Sequence, residues 1–423
     1  MKNLKAIILL FLANTISGIA QGISMIAIPW YFSQTNDMGR FGLVYGISTL
    51  ISLFWVPYSG TLVDRFNRKH IFQAITVVSG SFTLGIALYG LQQGVLPWHL
   101  IAAVFVFTFF NYNIHYPNLY AFMQEITEKK YYGKISSYLE VFGQLASAIA
   151  GAAAAILLSG IEAGNNELFG LQVNLNISIE AWPIEKIFLM DGITYVIAFI
   201  ILSLIQFVPL TERPAENDGL VTRLKTGWNW LMDHKATLQF GIASYILFGT
   251  VMLVSFYLCA SYVSLHLNKG GGVYATAEMF YSIGALLAGL SIRYIFKHSQ
   301  TARSIALLSA ITACFYLSLH FFESVGLLFL TLLFLGISNA GTRILRVGYL
   351  FANVPNRLYG RVNAVFFLTN LVFRSALIAL FSLPFFLEPA QMSTSFIILA
   401  VILFITVIWL LLLSPHINKH KSL

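Results

Sequence analysis

The chain has 423 residues, of which 58% are hydrophobic and 10% charged, with a net charge of +8. Soluble domains carry about 25% charged residues, and about 18 consecutive apolar residues read as a bilayer span, so this composition excludes a soluble enzyme and calls for an integral membrane protein. The cations are spread over short polar loops instead of forming one patch, which favours membrane topology over nucleic acid as the reason for the basic balance.

At about 20 residues per span, helices are expected near 6–32, 40–63, 70–92, 98–123, 134–160, 185–208, 237–266, 273–296, 303–322, 325–350, 361–386 and 391–413. The first, Ala6 to Phe32, lacks any charge and is longer than the apolar region of a signal peptide, so it reads as an uncleaved first helix. Lys and Arg collect on the side that does not translocate. With a cytoplasmic N-terminus, 19 of the 25 cations fall on the inner side; Arg40, Lys186 and Lys269 lie outside, and Arg343, Arg346 and Arg374 lie within spans. Both termini are therefore expected in the cytoplasm, with an even number of helices between them.

Two connections are long. The outer one, 161–184, reads as a loop and contains the short sequon Asn176-Ile177-Ser178. The inner one, 209–236, has Pro209, Pro214 and Gly219 and begins as a linker; Leu220 to Trp230 has the pattern of an amphipathic helix lying on the membrane. It divides the chain into 1–208 and 237–423. Cys259 and Cys314 sit inside apolar runs and are expected to be buried and reduced, with no zinc or CxxC spacing. No metal site and no cofactor motif occurs, and the absence of a Walker loop, HExxH or GxSxG in a plausible context argues against an enzyme or an ATP-driven pump.

An internal repeat links the halves: "YYGKISSYLEVF" (131–142) aligns with "LYGRVNAVFFLT" (358–369), each after the fourth span of its half. Two similar six-helix sets describe the all-α, twelve-helix major facilitator architecture, whose substrate cavity lies near mid-membrane. "GTLVDRFNRK" (60–69) then resembles the signature of that superfamily between the second and third spans, G-x-L-x-D-R-x-x-R-K, with all fixed positions present. "HYPNLYAFMQEITEKKYYGKI" (115–135), "IFLMDGITYVIAF" (187–199) and "TAEMFYSIGALLAGL" (276–290) are similar to segments of the bacterial drug antiporter group that contains macrolide efflux proteins and the enterobactin exporter. Two positions depart from the antiporter pattern: Thr108 stands where many members have arginine, and Gly151 is followed by Ala152 instead of proline.

The resemblance implies alternating access with a latch built from Gly60, Asp64, Arg65, Arg68 and Lys69. Asp64 would meet the start of the eleventh span near Arg361, and Arg68 would reach an acid at the end of the fourth, for which Glu125 is the candidate. A carboxylate at a helix N-terminus gains about 0.3–1 kcal/mol when exposed, enough to bias two states and little enough to release. For Lys69, fixing topology and binding lipid phosphates suffices as a role.

Ionisable groups inside spans cost about 2.5–3.5 kcal/mol on insertion scales and are functional candidates by default. Glu278 is the first candidate for a proton or cationic-substrate site and Asp191 the second, because a carboxylate in a poorly hydrated cavity can exchange a proton near neutral pH. Asp191 has the alternative of a structural hydrogen bond. Arg343 and Arg346 stand one turn apart on the same helix, with Arg374 in the next. They call either for acidic partners among Glu140, Asp191 and Glu278 or for an anionic substrate. His115, beside Pro117, reads as a packing residue before it reads as a proton carrier.

The function expected is proton-coupled export of an amphipathic small molecule, a drug or siderophore, by a monomer in the bacterial inner membrane. Its partners are the substrate, protons and the lipid bilayer, with no nucleic acid. The alternatives are an importer or lipid transporter of the same fold, and a transport-inactive sensor.

Overall fold

The computed structural model describes residues 3–210, 220–297 and 299–418. In lipid every backbone N–H and C=O needs an internal partner, so uninterrupted apolar sequence becomes helix. In chain order these are α1 (Leu4–Gln34), α2 (Met38–Arg65), α3 (Arg68–Gln93), α4 (Trp98–Ile126), α5 (Tyr132–Ser159), α6 (Ile184–Ser203), α7 (Leu220–Asp233), α8 (Lys235–Leu253), the single turn α9 (Cys259–Ser261), α10 (Gly271–Ile295), α11 (Thr301–Phe321), α12 (Val325–Asn353), α13 (Asn356–Phe381), the short α14 (Pro384–Leu387) and α15 (Thr394–Asn418). Wide π-turns at Val254–Leu258 and Tyr262–His266 join α8 through α9 into one span, Lys235–His266.

Eleven described helices are long and apolar enough to cross a membrane. The 29-residue α4 matches them in length but carries Asn111, Asn113, His115 and Asn118, which dilute its apolar character. With α4 the plan is that of a twelve-helix, essentially all-α multi-pass membrane protein.

The long connection at 161–184 departs from expectation. Gly164–Leu168 (β1) and Leu171–Leu175 (β2) pair antiparallel, with Leu168 opposite Leu171. Phe169 and Gly170 turn the hairpin at φ 57° and 78°. A two-residue hairpin turn of the I′ type requires positive φ at both positions, and "FG" lacks the Asn-Gly cue that would have announced it.

The described chain forms two compact units: Met1–Asp37 with Ile51–Asn217, and Met38–Leu50 with Asp218–Leu423. The first end of α2 thus groups with the later helices. In the first unit, Ile7 and Leu10 of α1 pack with Phe72 of α3, Phe122 of α4, Leu139 of α5 and Leu202 of α6. In the second, Phe240 of α8 packs with Ile305 of α11, Leu350 of α12, Phe366 of α13 and Leu410 of α15. Cys314 is exposed on α11, unlike the buried Cys259, because its face of the helix turns away from this core.

Helix α7 belongs to that second core. Leu231 is fully buried and Leu224 and Trp230 pack beside it. A Cβ on Gly227 would stand 2.6 Å from the Arg361 carbonyl oxygen and 2.7 Å from its carbon. The amphipathic stretch therefore forms a helix, as its pattern implies, but its apolar face covers α13 instead of resting on lipid alone.

Candidate functional site

The loop that opens the superfamily-like signature is built as a helix junction. Asn67 caps α3, its Oδ1 accepting from the backbone N–H of Lys69 at 3.0 Å and of His70 at 3.4 Å. Arg68, first residue of α3, donates from Nη1 to Glu125 Oε2 at 3.0 Å and to the Ala121 carbonyl at 2.9 Å, while Asn118 donates to the Arg68 carbonyl. The structure thus brings Arg68 and Glu125 together at the end of α4, with side chains 13% and 3% exposed. Lys69 reaches the end of α6, where its Nζ donates to the carbonyls of Ile205 (2.8 Å) and Ser203 (3.2 Å). A cation bonded to orphan carbonyls at a helix C-terminus is a cap, a role that composition and topology alone did not reveal.

Arg65 ends α2 and is exposed. A Cβ on Gly60 would meet open space. Of Asp64 only the helical backbone is described; its side chain lies outside the described residues, and so does the contact expected of it. Arg361 lies in the first turns of α13, against Gly227 of α7.

Pro117 lacks the N–H that would bond the Asn113 carbonyl within α4, and Ser59 of α2 donates its hydroxyl to that oxygen at 2.8 Å. Trp55, one turn earlier in α2, donates to the Phe110 carbonyl at 3.0 Å. His115 Nε2 lies 2.8 Å from Asn14 Oδ1 and its ring meets Phe72 edge-on. This amide partner and aromatic neighbour fit the packing role and tie α4 to α1.

The two intramembrane carboxylates sit in different units. Asp191 on α6 is 1% exposed, beside Ser24 of α1, Tyr112 of α4 and Tyr195 one turn on. Glu278 on α10 lies beside Ser255 and Cys259 of the π-distorted span, Tyr274 and Tyr281. The α10–α12 crossing that positions it is close, since a Cβ on Gly284 or Gly336 would run into the facing backbone at Leu333 or Tyr281. Small residues at such crossings let lipid-embedded helices approach. Asp191 Oδ1 and Glu278 Oε1 are closed off from solvent and have no hydrogen-bond partner. Among the described residues neither carboxylate forms an ion pair.

The arginines do not behave as one group. Arg346 is buried, its guanidinium 3.6 Å from the centre of the Tyr245 ring and donating to the Ser244 carbonyl at 3.0 Å. An aromatic face and a helix carbonyl thus meet Arg346, the weakly hydrated guanidinium being suited to both. Arg343, three residues earlier, is exposed. Arg374 on α13 is buried, 5.6 Å from the Tyr45 ring of α2.

A family profile described as the Major Facilitator Superfamily matches residues 10–377. Among solved structures, a single-residue variant of the nucleoside transporter NupG superposes with TM-score 0.72 at 11% identity, covering 96% of this chain and 99% of that one. NupG itself gives 0.68 at 12% identity, covering 96% and 98%. A bacterial homologue of the human lysosomal transporter Spinster, inward-facing and unoccupied, gives 0.64 at 13% identity, covering 97% and 95%. No curated protein sequence matches. At these identities the structural likeness speaks for the fold, while the profile spans most of the sequence. The chain belongs to the Major Facilitator Superfamily, a multi-pass membrane protein with the fold of a secondary transporter.

Proposed function

We propose that this transporter exports an amphipathic small molecule in exchange for protons, that it works as a monomer in the bacterial inner membrane with both termini cytoplasmic, and that Glu278 carries the proton. The observation that carries the reading is the Glu278 carboxyl: an oxygen closed off from solvent, unbonded and without a cationic partner among the described residues, on a helix facing a span loosened by π-turns. A lone carboxylate in such surroundings is neutral when protonated and costly when not, so its charge can bias the conformations of a transport cycle. π-turns often mark functional positions because their unused carbonyls and widened backbone can rearrange.

In this reading 1–208 and 237–423 are the two moving bundles, 209–236 connects them, and the stretch from Gly60 to Lys69 acts as the cytoplasmic latch. The segments 115–135, 187–199 and 276–290 support the bacterial drug antiporter group and hence the outward direction. Exposed Arg343 supports a substrate bearing a carboxylate, phosphate or catecholate.

Purified protein in proteoliposomes tests the reading with a panel of dyes, macrolides and siderophores. Substrate movement that collapses with the pH gradient is expected, and Glu278→Gln should abolish driven transport while leaving counterflow. Driven transport that persists in this variant overturns the assignment of Glu278; accumulation in the opposite direction makes the protein an importer.

A further inference from the structure

The surroundings of Asp191 share three kinds of neighbour with those of Glu278 in the other unit: a serine, a tyrosine on the same helix and an amide bonded to that tyrosine. Each carboxylate faces a serine on the first helix of its half: Ser24 on α1 for Asp191, and Ser255 on the α8 span for Glu278. Asp191 Oδ1, Ser24 Oγ, Glu278 Oε1 and Ser255 Oγ are all buried; each serine is the hydroxyl neighbour of its carboxylate, and no further group among the described residues completes either pair with good hydrogen-bond geometry. Each carboxylate is followed by a tyrosine on its own helix whose hydroxyl accepts from an amide. Tyr195 accepts from Gln21 Nε2 at 2.8 Å, and Tyr281 from Asn339 Nδ2 at 2.7 Å.

We propose that Asp191 and Ser24, with Gln21 and Tyr195 beside them, form a second site for a small monovalent cation, proton or sodium, so that each unit carries one such site and the cycle exchanges two cations. The donors are all oxygens, which suit hard cations and disfavour soft metals. The single carboxylate limits the charge it can hold, because a divalent ion would leave an uncompensated charge in the interior. Asp191 and Ser24 are each 1% exposed, so water cannot complete them, whereas a bound cation can. The titratable groups acting on Asp191 are Tyr112 of α4 and Tyr195 of α6; α1 contributes Gln21 and Ser24, and α3 contributes Ser79 through Tyr195, none of which titrates. The inference of two cations rests on the Glu278 reading, whereas the Asp191 site stands without it.

The test uses the full chain, purified, in two arms. Infrared difference spectra between acid and alkaline buffer read protonated carboxyls, and melting in sodium chloride against choline chloride at fixed ionic strength reads sodium. If the occupant is a proton, Asp191→Asn removes one carboxyl band and Glu278→Gln removes another. If it is sodium, the salt-specific rise in melting temperature survives Glu278→Gln and vanishes in Asp191→Asn. In either case Asp191→Asn halves the cation-to-substrate ratio in proteoliposomes. Ser24→Ala, a milder change in a buried position, should shift the Asp191 band or weaken the sodium effect, and carries the test should Asp191→Asn fail to fold. Spectra and melting of Asp191→Asn and Ser24→Ala identical to wild type in both arms overturn the proposal. Loss of the Glu278 band alone, with Asp191 unresponsive, leaves the first site standing and removes the second.

Discussion

Arg68 and Glu125 close α3 onto α4 through one 3.0 Å ion pair, and the same guanidinium nitrogen also holds the Ala121 carbonyl one turn before Glu125. Because Glu125 is only 3% exposed, either charge left alone would be poorly solvated. Removing one partner of a buried pair costs more than the pair contributes, since the survivor keeps its desolvation penalty. Arg68→Ala and Glu125→Ala are each expected to cost about 3–5 kcal/mol. The double variant should cost clearly less than the two singles combined. Thermal and denaturant melts of the four proteins in detergent check this; strictly additive losses would show that the two side chains act separately.

Asn3 ties three segments at a single amide. Its Nδ2 donates to the carbonyls of Ile126 (3.0 Å) and Val208 (2.9 Å), and its Oδ1 accepts from the Val208 backbone at 3.1 Å. The side chain is 7% exposed, so water does not readily replace it. Asn3→Leu keeps the branched heavy-atom shape and deletes all three bonds, with an expected loss of about 3–4.5 kcal/mol at about 1–1.5 kcal/mol per bond. Asn3→Asp retains only the acceptor and should fall between. Melting of the three proteins orders them, and an Asn3→Leu variant as stable as wild type would contradict the arrangement.

Gly227 is required by proximity, because a side chain there collides with the main chain at Arg361 and main chain cannot swing aside. Gly227→Leu should therefore release α7 from α13 and uncover Leu231, which is otherwise fully buried. The expected outcome is faster proteolysis between 220 and 233 and a lower melting temperature, by an amount equivalent to about 2 kcal/mol for the exposed leucine. Gly348→Leu, where a Cβ meets open space, serves as the control and should leave both measurements unchanged. Equal protease resistance in the two variants would place α7's anchorage elsewhere.

Much of the plan was legible before any coordinates. Span order and the signature at 60–69 both follow from residues adjacent in the chain. The pairing of Arg68 with Glu125 was legible through the family resemblance. Other relationships depend on residues far apart in sequence: Lys69 with the end of α6, Asn3 with Val208, and Ser59 with the carbonyl freed by Pro117. The hairpin at 164–175 escaped because its turn, Phe169-Gly170, carries half of the usual signal. The α4 span was recognisable by length and position more than by apolarity, its His115, Asn111 and Asn118 side chains facing α1 and α3 instead of lipid.

By itself the sequence determined that this protein lies in a membrane, how many times it crosses and which superfamily it resembles. Partition between water and lipid acts on each segment locally, and the charge rule acts on each loop in turn. Only the tertiary structure decided which polar atoms are answered. It gave Arg346 an aromatic ring, Lys69 a helix end and α7 a partner in α13. It left Asp191 and Glu278 each with a buried, unbonded oxygen. Hydrogen bonding reaches about 3 Å and is set by helix packing, so no pattern read along one segment can specify the partner that another supplies.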